Sequence, residues 1–179
     1  SLLVPVFLGI IIGSISSGNF TTSGATFKSV YIDSWLSPFS VSVGLLALSL
    51  FSFLAAVYLS VFADSKELKK DFRIRAIGAQ IVSVIMAVLV FFLAGDNALE
   101  LRDALTKSIF NLELAGTTAI LAILCTISLV VNRLRLARIL AALQVTFILW
   151  GWAIAQYPYL IRPDFTIYNS HGASQTLDL

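Results

Sequence analysis

Side chains that could ligate a metal ion or a haem are scarce in this 179-residue chain. It contains one histidine, His171, and one cysteine, Cys125. A bis-histidine haem site and an HExxH metal site each need two histidines, so neither can be built from this chain alone. A lone histidine in a polar segment is usually solvated, and a lone cysteine cannot form an intrachain disulfide. We therefore predict no metal ligand here.

Other sequence patterns that support catalysis are also missing. The chain has no glycine-rich phosphate loop, no nucleophile elbow and no pair of carboxylates placed for acid–base chemistry. Its net charge of +2 gives no support to a nucleic-acid partner. We assign no catalytic, cofactor-binding or metal-binding residue, and we expect the chain alone to be non-catalytic.

A few polar side chains in apolar surroundings remain as candidates for a specific role. Gln80 and Gln144 lie inside long apolar runs, and Glu113, beside Asn111, lies where another run begins. Polar side chains in lipid can hydrogen-bond across helices, so we interpret both glutamines as interhelical partners rather than substrate contacts. Glu113 is the best candidate for a functional acid. Capping of a positive helix end is the alternative without a function.

The composition predicts the environment that surrounds these residues. Hydrophobic residues make up 58% of the chain and charged residues 12%, and the mean hydropathy is +0.92. A transmembrane helix needs about 20 predominantly apolar residues, which predicts an all-α, polytopic membrane bundle. The five predicted transmembrane helices are residues 2–18, 38–63, 76–95, 113–132 and 138–157. Their interiors contain no Asp, Glu, Lys, Arg or His, although such residues usually mark ion or proton pathways.

Lys and Arg are distributed unevenly among the connecting segments. Residues 64–75 contain five and residues 133–138 contain three, whereas the predicted outer connections, 19–37, 96–112 and the tail, share four. By the positive-inside rule, the two basic segments face the cytoplasm and the tail, 158–179, lies outside. We interpret the basic segments as topology signals, with binding of anionic lipid headgroups as the alternative. Aromatic residues near the predicted outer interface agree: Tyr31, Trp35, Trp150, Trp152, Tyr157, Tyr159 and Tyr168.

Small residues four positions apart recur in every apolar run. Such spacing lets helix backbones approach closely in lipid and predicts a compact bundle, with a water-lined path as the alternative use. The sets are Gly9, Gly13 and Ser17; Ser52, Ala56 and Ser60; Ala79, Ser83 and Ala87; Ala115 and Ala119; Ala137 and Ala141; and Gly151 and Ala155.

The tail departs from the apolar pattern of the rest of the chain. Pro158 and Pro163 lack amide donors and restrict the residues before them, which predicts that the fifth helix ends near Tyr157. The following segment is then expected to run irregularly over the outer surface of the bundle. Asp164 and Asn169 are interpreted there as turn and cap formers.

Four stretches together carry a resemblance to a known family. They are "GSISSGNF", "SWLSPFSVSVGLLAL", "FRIRAIGAQIV" and "WGWAIAQYPYLIRPDFTIYNSHGASQTL". In this order they resemble the later part of subunit II of the cytochrome bd quinol oxidases, over essentially the whole chain. The last stretch is the most specific.

The resemblance implies an arrangement of two four-helix repeats and one further helix. Residues 1–18 would then hold the last helix of the first repeat, 19–37 an outer loop, and 38–157 the second four-helix repeat. Residues 158–179 would be an outer-face segment leading to a helix that is missing here. The chain is accordingly expected to be a fragment of a longer subunit.

The resemblance also implies a function. In that family, quinol is oxidised and oxygen reduced to water at haem b and haem d groups held by subunit I, which subunit II packs against and helps to assemble. The expected partners are subunit I, membrane lipid and quinone, in the inner (plasma) membrane. The alternative is half of a secondary transporter built from repeated bundles. A transporter should show broken helices beside polar residues, but Pro5 is the only proline inside a run and no charge accompanies it.

Overall fold

The computed structural model describes residues 2–17, 35–107, 109–161 and 165–168. Together they form a helical bundle with one short strand pair, which confirms the predicted all-α class. The elements are α1 (Leu3–Ser17), α2 (Pro38–Phe62), α3 (Lys66–Asn97), α4 (Leu99–Lys107), α5 (Ile109–Val130), α6 (Leu134–Gln156), β1 (Tyr159–Ile161) and β2 (Phe165–Thr166).

Four of these helices, α2, α3, α5 and α6, are long and apolar enough to cross a membrane. The remaining predicted span, α1, has 15 described helical residues, or about 22 Å at 1.5 Å per residue. That is shorter than the hydrocarbon core of a bilayer, about 30 Å. Pro5 lies in the first turn of α1, where its missing amide hydrogen has no helical acceptor to lose.

The predicted basic loops are mostly helical, which corrects the sequence interpretation. α3 begins at Lys66 rather than near residue 76, and its N-cap residue, Ser65, accepts a 3.1 Å hydrogen bond from the Leu68 amide. With 32 residues α3 is about 48 Å long, so it extends beyond the apolar layer. Similarly, α6 begins at Leu134. Lys, Arg and Glu are good helix formers, so a charged segment in water can continue a helix.

The predicted outer connection 96–112 also contains a helix. The nine residues of α4 follow α3 after one non-helical residue, Ala98. One side of α4 is buried through Leu101, which packs with Phe39, Ala94, Ala98 and Ala155 in an apolar cluster. Arg102 lies on another side, with its guanidinium 5.3 Å from the centre of the Phe91 ring. α4 is therefore an amphipathic cover for one end of the bundle.

A tight turn joins α5 to α6. Asn132 has a φ of 63°, the left-handed region that Asn tolerates better than most residues. The Arg133 amide donates to the Ser128 carbonyl at 2.8 Å, and the Asn132 amide donates to the Leu129 carbonyl at 3.2 Å. These two bonds form a Schellman motif, which satisfies carbonyls left over at the end of α5.

A close helix contact joins α1 to α2 in antiparallel order. A Cβ built on Gly9 would lie 2.6 Å from the Gly44 Cα, and one on Gly13 would lie 2.7 Å from the Ser40 Cα. The prediction of close packing is confirmed for this pair of helices. Ala115 of α5 is instead exposed, as are Ala119, Ala87 and Ser52, so these residues make no close helix contact within the described part of the chain.

Two apolar clusters hold the long helices together at opposite ends of the bundle. The first joins α2, α3, α5 and α6 through Phe53, Ala56, Val57, Ala76, Cys125, Leu129, Ala137 and Ala141. The second joins α2, α3, α4 and α6 through Phe39, Ala94, Ala98, Leu101 and Ala155. We call the end nearest the first cluster, with residues 63–75 and 131–138, the basic end. The opposite end, with Trp35, Trp150, Trp152 and the strands, is the aromatic end.

The tail begins as predicted, because α6 ends at Gln156. The Tyr157–Pro158 peptide bond is cis. It is not wholly irregular, since β1 and β2 pair in antiparallel order. The Ile167 amide also donates to the Pro158 carbonyl at 3.0 Å. The predictions for Pro163, Asp164, Asn169 and His171 lie outside the described residues.

Candidate functional site

One buried polar contact between two of the long helices is an amide pair. Gln80 of α3 donates from Nε2 to Oε1 of Gln144 on α6 at 3.2 Å, and Gln144 donates back to Gln80 Oε1 at 3.4 Å. Both side chains are nearly inaccessible, with 2% and 3% exposure. The prediction that these glutamines pair between helices is confirmed. The pair lies along α3 and α6 between the two apolar clusters.

Hydroxyl groups in the spans bond mostly to their own helices. The Ser60 hydroxyl donates to the Val57 carbonyl at 2.7 Å, and the Ser83 hydroxyl donates to the Gln80 carbonyl at 2.8 Å. The same local pattern satisfies Ser42, Ser49, Thr118, Thr126, Ser128 and Thr146. These hydroxyls therefore need no water or substrate as a hydrogen-bond acceptor.

The aromatic end contains a polar contact between α1 and α6. Trp152 Nε1 donates to Ser16 Oγ at 3.0 Å. Ser16 is 1% exposed, so the indole satisfies a hydroxyl that water cannot reach. This contact fixes the last turn of α1 against the C-terminal turns of α6.

Replacing Trp152 with phenylalanine should destabilise the protein by about 1 kcal/mol, because the buried Ser16 hydroxyl loses its donor. The expected fall in melting temperature in detergent is about 2–4 °C. Trp150→Phe is the matched control, since Trp150 lies on the same helix and is 62% exposed. Equal melting temperatures for the two variants would contradict a stabilising role of this contact.

Two buried amides at the aromatic end are incompletely bonded in the described part of the chain. Asn111 donates from Nδ2 to the Ala104 carbonyl at 2.7 Å, but its Oδ1 has no partner. Neither polar atom of the Gln156 amide has one. The burial of Gln156 was not predicted from the sequence, because a glutamine at the end of a helix normally reaches water.

Glu113, the predicted functional acid, is exposed. α5 begins at Ile109, so Glu113 lies in its second turn and cannot be the N-cap residue. The capping interpretation is therefore wrong, because the helix begins four residues earlier than the apolar run. The backbone carbonyl of Glu113 accepts a 2.8 Å hydrogen bond from the Thr117 hydroxyl.

Two tyrosines meet beyond the end of α6. The hydroxyls of Tyr157 and Tyr168 are hydrogen-bonded to each other, and both side chains are exposed. This bond, followed by repulsion between the two phenolates, raises the pKa of Tyr157. The Tyr157 hydroxyl therefore remains protonated at neutral pH, and its hydrogen bond to Tyr168 connects the end of α6 to the residues that follow β2.

A cleft of about 900 Å³ opens at the basic end between the first turns of α3 and the start of α6. Its lining includes the apolar residues Val61, Leu134 and Leu136. The rest of the lining is Asn132 and six cationic side chains, which are Lys66, Lys69, Lys70, Arg73, Arg133 and Arg135. The neighbouring Arg138 instead stacks over Tyr58 and Phe62, 5.9 and 5.8 Å from the ring centres.

The described residues do not fit a haem or metal centre of their own. Among them, no group of three or more His, Cys, Asp or Glu side chains could hold a metal ion. The thiol of Cys125 is buried in the first apolar cluster and donates to the Ala137 carbonyl at 3.4 Å. Its surroundings are those of a packed side chain rather than of a ligand.

A comparison with protein families explains this combination of long apolar helices and few ligands. The family model described as cytochrome bd terminal oxidase subunit II matches residues 1–179. The chain belongs to this family. A search of curated proteins found no match.

Membership in the subunit II family confirms the resemblance drawn from the four sequence stretches. It identifies the chain as a multi-pass membrane component of a terminal oxidase that also contains a partner subunit. Sequence reasoning missed the cleft at the basic end. The spacing of Lys66, Lys69, Lys70 and Arg73 would place them on one face of a helix. This pattern was missed because the segment was interpreted as a loop, in which such spacing has no structural meaning.

Proposed function

We propose that this member of the subunit II family is a non-haem structural and assembly subunit of a quinol-oxidising oxidase. Catalysis would take place in subunit I, which would hold haem b and haem d and reduce oxygen to water. The observation that supports this most directly is the uncharged bundle interior. There, the two buried glutamines bond to each other, and most of the hydroxyls bond to their own helices.

The same proposal covers the environment of the chain. It would lie in the inner (plasma) membrane, with the basic end in the cytoplasm and the tail, 158–179, outside. Apolar side chains cover the outer faces of the spans, as Ile85, Phe92, Ile120 and Ile123 illustrate. Such faces suit both lipid and the surface of subunit I, while quinone would be the substrate of the whole complex.

The test is purification of the complete oxidase from its native membrane through a tag on this subunit. We expect haem bands in the reduced-minus-oxidised visible spectrum and a larger co-purifying chain in the mass spectrum. Dissociation of the two chains should then leave the haem with the larger one. A parallel purification from membranes with the untagged subunit controls for adventitious haem protein.

Haem that remained with this subunit after dissociation would contradict the non-haem assignment. A colourless preparation without a larger partner would contradict the oxidase assignment for this chain. The transporter alternative would then be tested by substrate uptake into vesicles. The family match gives that alternative no support.

A further inference from the structure

The cleft at the basic end has two cationic walls. On α3, the residues at positions 66, 69, 70 and 73 follow the spacing of one helix face, so their side chains project together. Arg133 and Arg135 form the other wall at the start of α6. Both helices also begin here, and helix N-termini carry partial positive charge. The sequence separates these walls by about 60 residues, and the two helix hairpins bring them together.

The positive charge of this cleft is not neutralised by the described part of the protein. None of the six lining cations makes an ion pair there, and the buried Nε of Arg73 has no hydrogen-bond partner. Three carboxylates lie on neighbouring positions, Asp64, Glu67 and Asp71, but none lines the cleft. Asp71 is occupied by Arg75, whose Nε lies 2.8 Å from its Oδ2. Like charges held this close favour a bound anion.

The cleft also lies where the apolar spans end. Val61, Leu134 and Leu136 line it, and the neighbouring Phe62 and Leu68 expose 67% and 49% of their surface. This places cations directly beside side chains that suit acyl chains. A free anion would use only the charged part, whereas a phospholipid would use both.

We propose that the cleft binds the phosphate groups of an anionic membrane phospholipid. The arginines suit phosphate oxygens because a guanidinium can donate two parallel hydrogen bonds, and the lysines add point charges. A lipid with two phosphates offers one phosphate to each of the two cationic walls. Cardiolipin is therefore expected to bind more tightly than phosphatidylglycerol, and phosphatidylcholine only weakly.

The test uses the complete oxidase complex, delipidated in detergent and titrated with each of these three lipids, with binding followed by native mass spectrometry. Lys70→Gln and Arg135→Gln each remove one exposed charge, one from each wall. Each should raise the apparent Kd for cardiolipin about fivefold, and the double variant about 25-fold. The effect should shrink at high salt.

Arg75→Gln is the matched control, because it removes one charge from the same helix but lies outside the cleft. It should change the Kd less than twofold. An equal loss of binding in this control would overturn the proposal in favour of general surface attraction. So would equal affinity for phosphatidylcholine, or binding of inorganic phosphate without binding of the lipids. Unchanged melting temperatures of the variants would exclude misfolding as the cause of weaker binding.

Discussion

Replacing Gly9 with alanine should loosen the contact between α1 and α2 and destabilise the protein by about 1–3 kcal/mol. The new methyl group would lie 2.6 Å from the Gly44 Cα and 2.7 Å from the Val43 carbonyl oxygen. Both neighbours are backbone atoms, so no side-chain rotation can relieve the clash. The two helices must move apart, and their packing in lipid depends on close approach.

Two glycines in the same bundle provide matched controls for this substitution. A Cβ on Gly78 or on Gly116 would meet nothing within 4 Å outside its own helix backbone. At these positions alanine should stabilise the helix, by up to about 1 kcal/mol. The same substitution of glycine by alanine is therefore expected to lower stability at Gly9 and to raise it at Gly78 and Gly116. Melting temperatures of the purified complex measure them, and a stable Gly9→Ala variant would show that the contact is not as close as described.

The α1–α2 contact shows what small-residue spacing can and cannot predict. Gly9 and Gly13 oppose Gly44 and Ser40, so both helices contribute small residues at matching heights. Ala115 on α5 belongs to a similar set, yet it faces outward. The spacing on one helix shows that a close approach is possible, but only the partner helix determines whether it happens.

The starts of α3, α5 and α6 were predicted too late in the sequence, and the reason is physical. Hydropathy detects where a helix leaves the apolar layer, which for α3 is near residue 76. The helix itself continues into water until a stop signal appears, here the N-cap Ser65. For that reason the cationic face on the first turns of α3 was not predicted, although every residue of it was visible.

The amide pair was the most predictable part of the candidate site. Within an apolar span a glutamine has no water to bond, so a second glutamine on another helix is the natural partner. The burial of Gln156 could not be predicted in this way, because its position at the end of α6 suggests contact with water. The fold instead buries it to 6% exposure.

Replacing Gln80 with leucine should destabilise the protein by about 1–2 kcal/mol, because the Gln144 amide would remain buried with no partner. Gln144→Leu should have the same effect for the reciprocal reason. The double variant, Gln80→Leu with Gln144→Leu, should recover most of the loss, since two apolar groups of similar size then meet. The coupling free energy from this double-mutant cycle, measured by thermal unfolding of the complex, should be about 2–3 kcal/mol, because the two single losses add up while the double variant loses little.

Gln156→Leu separates the loss of a hydrogen-bonded partner from the general effect of removing a polar group. The same substitution is made on α6, but the Gln156 amide has no hydrogen-bond partner in the described part of the protein. Removing a buried, unbonded amide should leave stability unchanged or increase it. If Gln156→Leu proved as damaging as Gln144→Leu, polarity at this helix rather than the pairing with Gln80 would be what stabilises the bundle. A loss of stability in Gln144→Leu together with a gain in Gln156→Leu would show that Gln80 and Gln144 fix the position of α3 against α6.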